Sequence, residues 1–220
     1  ASSAPTRGPP ADAGRVIDAL ASRPTFLMVG TIEPRKGHLQ AIRAFERLWA
    51  AGTDVNLAIV GAEGWTVLPE HLRSTIPEIV AALRDHPERG RRLFWLDGIS
   101  DEYLERVYAA ATCLLAASEG EGFGLPLIEA ARHGVPILAR DLPVFREVAG
   151  DRAAYFGGTR DTDLAAAVEA WLALHRRGAH PVASGMPWST WRDSAAQLAR
   201  FVEEDTGAAP GAPAGSRRPG

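Results

Sequence analysis

The sequence predicts an α/β fold built on a parallel sheet with helices on both faces, and three observations carry that prediction. Short apolar runs alternate with amphipathic segments about six times along the chain. The runs, such as Cys113 to Ala117 and Val135 to Ala139, are continuously apolar rather than alternating, as strands buried on both faces must be. Several runs end in glycine-containing loops that lead straight into a helix start. Internal repeats and coiled-coil heptads are not seen.

Residues 1–14 are rich in Ala, Ser, Pro and Gly without an apolar period and are expected to be a linker or disordered lead-in. The sequence lacks an initiator Met, which fits an excised piece of a longer protein. A single domain is expected over residues 15–206, starting with a short helix from Arg15 to Ala21. Phe26 to Gly30 is the first strand, followed by the loop Thr31-Ile-Glu-Pro-Arg-Lys-Gly37. An amphipathic helix from His38 to Ala51 follows, with Leu39, Ile42, Phe45, Leu48 and Trp49 on one face. Val55 to Gly61 is the second strand, closed by Gly61-Ala-Glu-Gly64. Pro69 and Pro77 should break Leu68 to Arg84 into short helices. Leu93 to Leu96 is the third strand and ends in Asp97-Gly-Ile-Ser100. Ser100 suits an N-cap, with Asp101 and Glu102 in the first turn of a helix to Ala111. After the Cys113–Ala139 unit, a loop and short helix (Arg140 to Val148) lead to a strand, Ala153 to Phe156. Helices are expected over Asp161 to His175 and Trp188 to Glu204, the latter packing Trp191, Leu198 and Phe201. Residues 207–220 read as a disordered tail.

Composition narrows the function classes. The chain is 46% hydrophobic and 23% charged with a formal net charge of −3. That balance suits a soluble core-bearing domain and argues against a nucleic-acid partner. No run approaches the ~20 apolar residues of a membrane span, and no secretory signal stands at the amino end. The single cysteine, Cys113, lies in a predicted buried strand and reads as core filler, which fits a reducing cytoplasm. His71 and His86 have no metal-like partners at useful spacing and read as surface residues.

The chemistry concentrates between Cys113 and Arg140, a strand–glycine loop–helix–strand unit. Its loop carries Gly120, Gly122 and Gly124; Pro126 suits the first helical turn, and Gly134 the helix stop. Such a loop sits where open α/β sheets bind ligands, at the carboxyl ends of the strands. Two carboxylates mark it, Glu121 and Glu129, spaced Glu-x7-Glu. For two acids taken alone, the ordinary reading is a solvated loop residue and a helix N-terminal acid. The functional reading is that they accept hydrogen bonds from vicinal sugar hydroxyls, beside helix-start N–H groups that suit a phosphate. Arg35 and Lys36, between a strand end and a helix start, are either a solvated basic turn or a site for a diphosphate.

Ser118-x-x-Glu-Gly-Phe-Gly-Leu-Pro-x-x-Glu-Ala130, followed by His133-Gly-Val-Pro136, resembles the signature of the retaining glycosyltransferases of family 4, which have the GT-B fold. The resemblance covers roughly residues 24–205. It implies a Rossmann-like three-layer α/β/α domain with a parallel sheet of about six strands, the C-terminal half of a GT-B enzyme. By that resemblance Glu129 contacts the ribose of a sugar nucleotide and Glu121 faces the donor hexose near the reacting carbon, with Gly122, Phe123, Gly124 and Leu125 lining the substrate. Many members carry Gly-Arg-x4-Lys-Gly after the first strand. Here Gly30 and Lys36 match, but Thr31 stands where the Arg is expected. The chain is similar to the Gly-Thr-x-Glu-Pro-Arg-Lys variant of polysaccharide-building members, in which Arg35 would take over the missing Arg's role. Glu33 either orients one of the basic side chains or is simply exposed. The resemblance also implies that the Gly61 loop lines the pocket, with Trp65 shielding it or simply packing, and that Gly98 and Ile99 contact the base.

The implied reaction is transfer of a hexose, mannose as a first choice, from a nucleotide diphosphate sugar to a glycan or lipid-linked acceptor, with retention. Lys36, Arg35 and Glu121 would be the catalytic residues. No cofactor is expected: the family needs no metal, and no Asp-x-Asp triplet is read as a metal site. The variant points to bacterial surface polysaccharide synthesis and a GDP-sugar donor, in the cytoplasm and, for the full protein, peripherally at the inner face of the membrane. The acceptor-binding N-terminal half is expected to be absent from this chain, which should bind nucleotide but transfer sugar poorly. Two other classes remain. A nicotinamide or flavin enzyme would need Gly-x-Gly-x-x-Gly after the first strand, which is missing. A non-catalytic nucleotide-binding or partner-binding module on the same fold would not need Glu121, Glu129 and Lys36.

Overall fold

The computed structural model of the chain describes residues 10–186. Thirteen helices and strands alternate through them: α1 (Ala13–Ala21), β1 (Thr25–Val29), α2 (His38–Ala50), β2 (Asn56–Val60), α3 (Ile76–Arg84), β3 (Leu93–Leu96), α4 (Asp101–Ala110), β4 (Cys113–Ala116), α5 (Leu125–Arg132), β5 (Ile137–Arg140), α6 (Pro143–Ala149), β6 (Ala154–Phe156) and α7 (Asp161–Arg176). The six strands form one sheet in the order β3-β2-β1-β4-β5-β6, and every neighbouring pair is parallel. The expected three-layer Rossmann-like domain is therefore what the chain forms.

The continuous apolar runs explain the layering. Successive strand residues point to opposite faces, and both faces are covered. Phe26, Met28, Leu57, Ile59, Cys113 and Leu115 face the layer that holds α2, α3 and α7. Leu27, Ala58, Val60, Leu114 and Ala116 face the layer of α1, α4, α5 and α6. Phe26 anchors the first layer, edge-on to Phe45 at 5.5 Å and to Trp171 at 5.3 Å.

The stretch from Leu68 to Arg84 forms short helices, as expected: a 3₁₀ turn over Glu70–Leu72 and then α3, whose first turn holds Pro77, where its missing N–H is harmless. Three local expectations are revised. The first helix begins at Ala13, which is buried. Arg140 belongs to β5, not to the loop beyond it, and is buried. His86 is not a surface residue. Its ring lies edge-on to Trp49 at 5.5 Å, Nε2 is 3.1 Å from Glu46 Oε1, and the side chain is only 6% exposed. The helix expected over Trp188 to Glu204 and the tail 207–220 lie outside the described residues.

Candidate functional site

The sheet order reverses between β1 and β4: the chain builds outward to β3 on one side and to β6 on the other. At such a switch point the loops at the strand carboxyl ends diverge and leave a crevice. Here its walls are the loop from Gly30 to Gly37 and the loop from Ala117 to Gly124.

The first loop is held from both sides. On the β2 side, Gly30 N–H donates to Val60 O at 2.9 Å and Ile32 N–H to Ala62 O at 2.9 Å, while Gly64 N–H returns to Ile32 O at 3.1 Å. The two loops pack so closely that a Cβ on Gly61 would lie 2.0 Å from Gly30 O. Trp65, next along, is 43% exposed and adopts a left-handed backbone. On the β4 side, Glu119 N–H donates to Arg35 O at 2.8 Å, and Arg35 Nη1 to Gly120 O at 3.0 Å. Gly37 then starts α2 with φ of 74°, and a Cβ there would lie 2.3 Å from Ala117 O. Only glycine meets both conditions.

These loops bring three of the expected residues together. The Lys36 side chain passes over Gly30 to place Nζ 2.5 Å from Glu121 Oε2. Arg35 is 47% exposed at the mouth, 3.0 Å from Glu33 and 3.6 Å from the same Glu121 oxygen. Of the two readings of Glu33, the structure has the one in which it holds a basic side chain, Arg35. Burial alone would raise the Glu121 carboxyl. The Lys36 hydrogen bond, the Gly122 N–H and the two cations outweigh burial and hold it below the usual carboxylate range. Thr31 is exposed beside this group.

Two residues missed by sequence reasoning complete the walls. His38 is buried at the start of α2 and lines, with Lys36, Ser118 and Glu121, a cavity of about 20 Å³. Burial, opposed by a hydrogen bond to the Glu33 backbone and reinforced by the Lys36 charge, lowers its pKa to about 4, so the ring is neutral. Its Nδ1 has no hydrogen-bond partner. Arg140 holds the base of the second loop. Its guanidinium donates to Ala117 O at 3.0 Å, to Ser118 O at 2.9 Å, and to Gly158 O and the Gln40 side chain. A charge closing an apolar strand run was the available signal for Arg140; His38 left none, because its cover comes from residues distant in sequence.

Glu129 stands apart from this cluster. It lies one turn into α5 and its carboxylate takes a 2.9 Å hydrogen bond from Tyr108 on α4. Gly124 begins α5, Gly122 is exposed, and Phe123 and Leu125 project at the mouth, 52% and 45% exposed. Gly98 and Ile99 lie beyond β3, two strands from β1 and so roughly 10 Å across the sheet. Ser100 caps α4 as expected, accepting from Tyr103 N–H at 3.3 Å. The Asp-x-Asp triplet Asp161-Thr162-Asp163 opens α7, where Asp161 pairs with Arg47 at 2.6 Å and Asp163 with Arg160 at 2.7 Å. These acids act as helix-terminal charges.

Comparison with known proteins gives consistent matches. The family profile described as "Glycosyl transferases group 1" matches residues 15–180. A serotype-specific mannosyltransferase, WbdA, of Escherichia coli is 49% identical over 193 residues, which are 88% of this chain and 23% of that protein. The chain thus spans about a quarter of the length of the curated relatives it matches first. Among solved structures, sucrose-phosphate synthase from Thermosynechococcus elongatus superposes with a TM-score of 0.63 at 22% identity, over 91% of this chain and 50% of that one. The C-terminal domain of a group 1 glycosyl transferase (LpcC) from Francisella tularensis superposes with a TM-score of 0.58 at 15% identity, over 80% of this chain and 88% of that one.

Proposed function

The chain belongs to the group 1 glycosyl transferases, and we propose that it is the nucleotide-sugar-binding half of a mannosyltransferase that builds bacterial surface polysaccharide. The observation that carries this reading is the convergence of Lys36, Arg35 and Glu121 at the β1/β4 switch point. The likeness to a serotype-specific mannosyltransferase supports the sugar and the pathway class.

In this reading a nucleotide diphosphate sugar lies in the crevice. Lys36 and Arg35 engage the diphosphate and stabilise the negative charge that grows on it as the bond to the anomeric carbon breaks. The diphosphate competes with Glu121 for the Lys36 ammonium, and a Glu121 released from that pair turns its charge toward the donor hexose. There it orients the sugar and favours the positive charge developing at the ring. Glu129 accepts hydrogen bonds from the ribose diol, the Gly122–Leu125 segment covers the sugar, and the Gly61 loop with Gly98 and Ile99 flanks the nucleoside. The acceptor, a glycan or lipid-linked glycan, is bound by the partner half of the full enzyme, at the cytoplasmic face of the membrane. Among the described residues no helix is long and apolar enough to cross a membrane.

A thermal-shift panel of GDP, UDP, ADP, dTDP and NAD tests the reading. One nucleoside diphosphate, GDP by this account, should raise the melting temperature, and Glu129→Ala should abolish the rise. At about 100 times its dissociation constant the ligand adds about 2.7 kcal/mol of stability. A shift with NAD alone would contradict the reading.

A further inference from the structure

Tyr108 is a buried polar side chain that the proposed chemistry does not use. It faces inward from α4 among Tyr103 and Val107 and is 1% exposed. Its ring stacks on His133 beyond the end of α5, with centroids 4.8 Å apart and planes 6° from parallel. Its hydroxyl donates to Glu129 Oε2 at 2.9 Å. The ring is therefore fixed by the last turn of α5 and its hydroxyl by the first turns of the same helix. Burial, then the neighbouring Glu129 charge and the hydrogen bond to it, push the phenol far above its ordinary value. It stays a hydrogen-bond donor at any pH the protein meets.

A phenylalanine would pack between α4 and α5 as well, without a hydroxyl that must find a partner. The partner it finds is a carboxylate on the helix that opens from the crevice. A glutamate has three rotatable side-chain bonds, and a vicinal diol is bound well only when both acceptor directions are fixed. The carboxylate keeps Oε1 and a second lone pair on Oε2 for a ligand. Fixing the side chain on folding removes that ordering cost from binding.

We propose that Tyr108 is a positioning residue, which holds the Glu129 carboxylate in the orientation that receives the 2′ and 3′ hydroxyls of a nucleoside diphosphate. This rests on the donor-binding reading above. The test uses the 220-residue chain and isothermal titration with GDP, ADP and UDP, each paired with its 2′,3′-dideoxy counterpart. Wild type should prefer the ribose form of one base. Tyr108→Phe, which keeps the ring and its stack, should weaken that ribonucleotide about five- to tenfold and leave the dideoxy form unchanged. Glu129→Gln, with Tyr108 intact, should show the same selective loss. Equal weakening of both forms, or an undiminished ribose preference in Tyr108→Phe, would overturn the inference and leave the donor-binding reading standing. A wild-type chain that binds none of the six nucleotides, or binds without a ribose preference, would overturn both.

Discussion

Lys36 and Glu121 are 85 positions apart in sequence and 2.5 Å apart in the fold. Both were legible beforehand because each sits in a glycine-bearing loop whose residue order is distinctive. That they would pair was not, because pairing depends on how two loops are stitched. If Lys36 engages a diphosphate, Lys36→Met should weaken a nucleoside diphosphate about 10- to 100-fold, the worth of one hydrogen bond to a charged group. It should leave the parent nucleoside unaffected. Titration with GDP and guanosine checks this, and equal losses would contradict it. His38 makes a separate prediction. Its pKa of about 4 in the fold lies below the ordinary 6.5, so the unfolded chain binds the proton more readily between those values. Stability is then full above pH 6.5 and falls as pH drops toward 4, by about 2 kcal/mol from pH 7 to pH 5. Urea melts at the two pH values should show that loss, and His38→Leu should remove it. His38, Tyr108 and Arg140 escaped sequence reading for one reason: their burial is conferred by remote segments. Tyr108 did leave a trace, a hydroxyl on the apolar face of a predicted helix, where a buried oxygen demands a partner.

At the scale of elements, the strands were the most legible feature, because continuous apolar runs bounded by glycine leave few alternatives. Helix ends and interruptions were less so. Pro69 and Pro77 foretold short helices between Leu68 and Arg84, but not that Pro77 would sit inside the first turn of α3. The junction that matters most for the site is the start of α2, where Gly37 touches the end of β4. Gly52 offers a comparison. It too has a left-handed backbone, φ of 84°, but a Cβ there would meet nothing within 4 Å. Gly52→Ala should cost about 1 kcal/mol, the conformational term alone. Gly37→Ala should cost about 3 kcal/mol or more, because the methyl must also displace the Ala117 carbonyl. Denaturant midpoints for the two variants check this. Similar costs would mean that the α2 start and the β4 end are not locked together.

At the scale of the molecule, the proposed reading makes the described residues the donor-binding half of a sugar-transfer site. Two walls of the crevice come from this chain; Glu121 lies in one of them and Glu129 one turn into the helix that follows it. The chain covers 23% of its mannosyltransferase relative, and in the proposed reading the groups that hold the acceptor belong to another domain. Without them the acceptor hydroxyl is not positioned, and transfer by the 220-residue chain should be slower than by a two-domain enzyme by about a thousandfold. Release of labelled mannose into glycan acceptor, measured for both, checks this. In the proposed reading the β1/β4 crevice binds the donor through Lys36, Arg35 and Glu129. A crystal structure of the chain with the nucleoside diphosphate that most raises its melting temperature tests it directly. The diphosphate should lie within hydrogen-bonding distance of Lys36 Nζ and Arg35, with the ribose hydroxyls on Glu129. A nucleotide bound elsewhere on the sheet, or one seated in the crevice with Lys36 still held by Glu121, would contradict it.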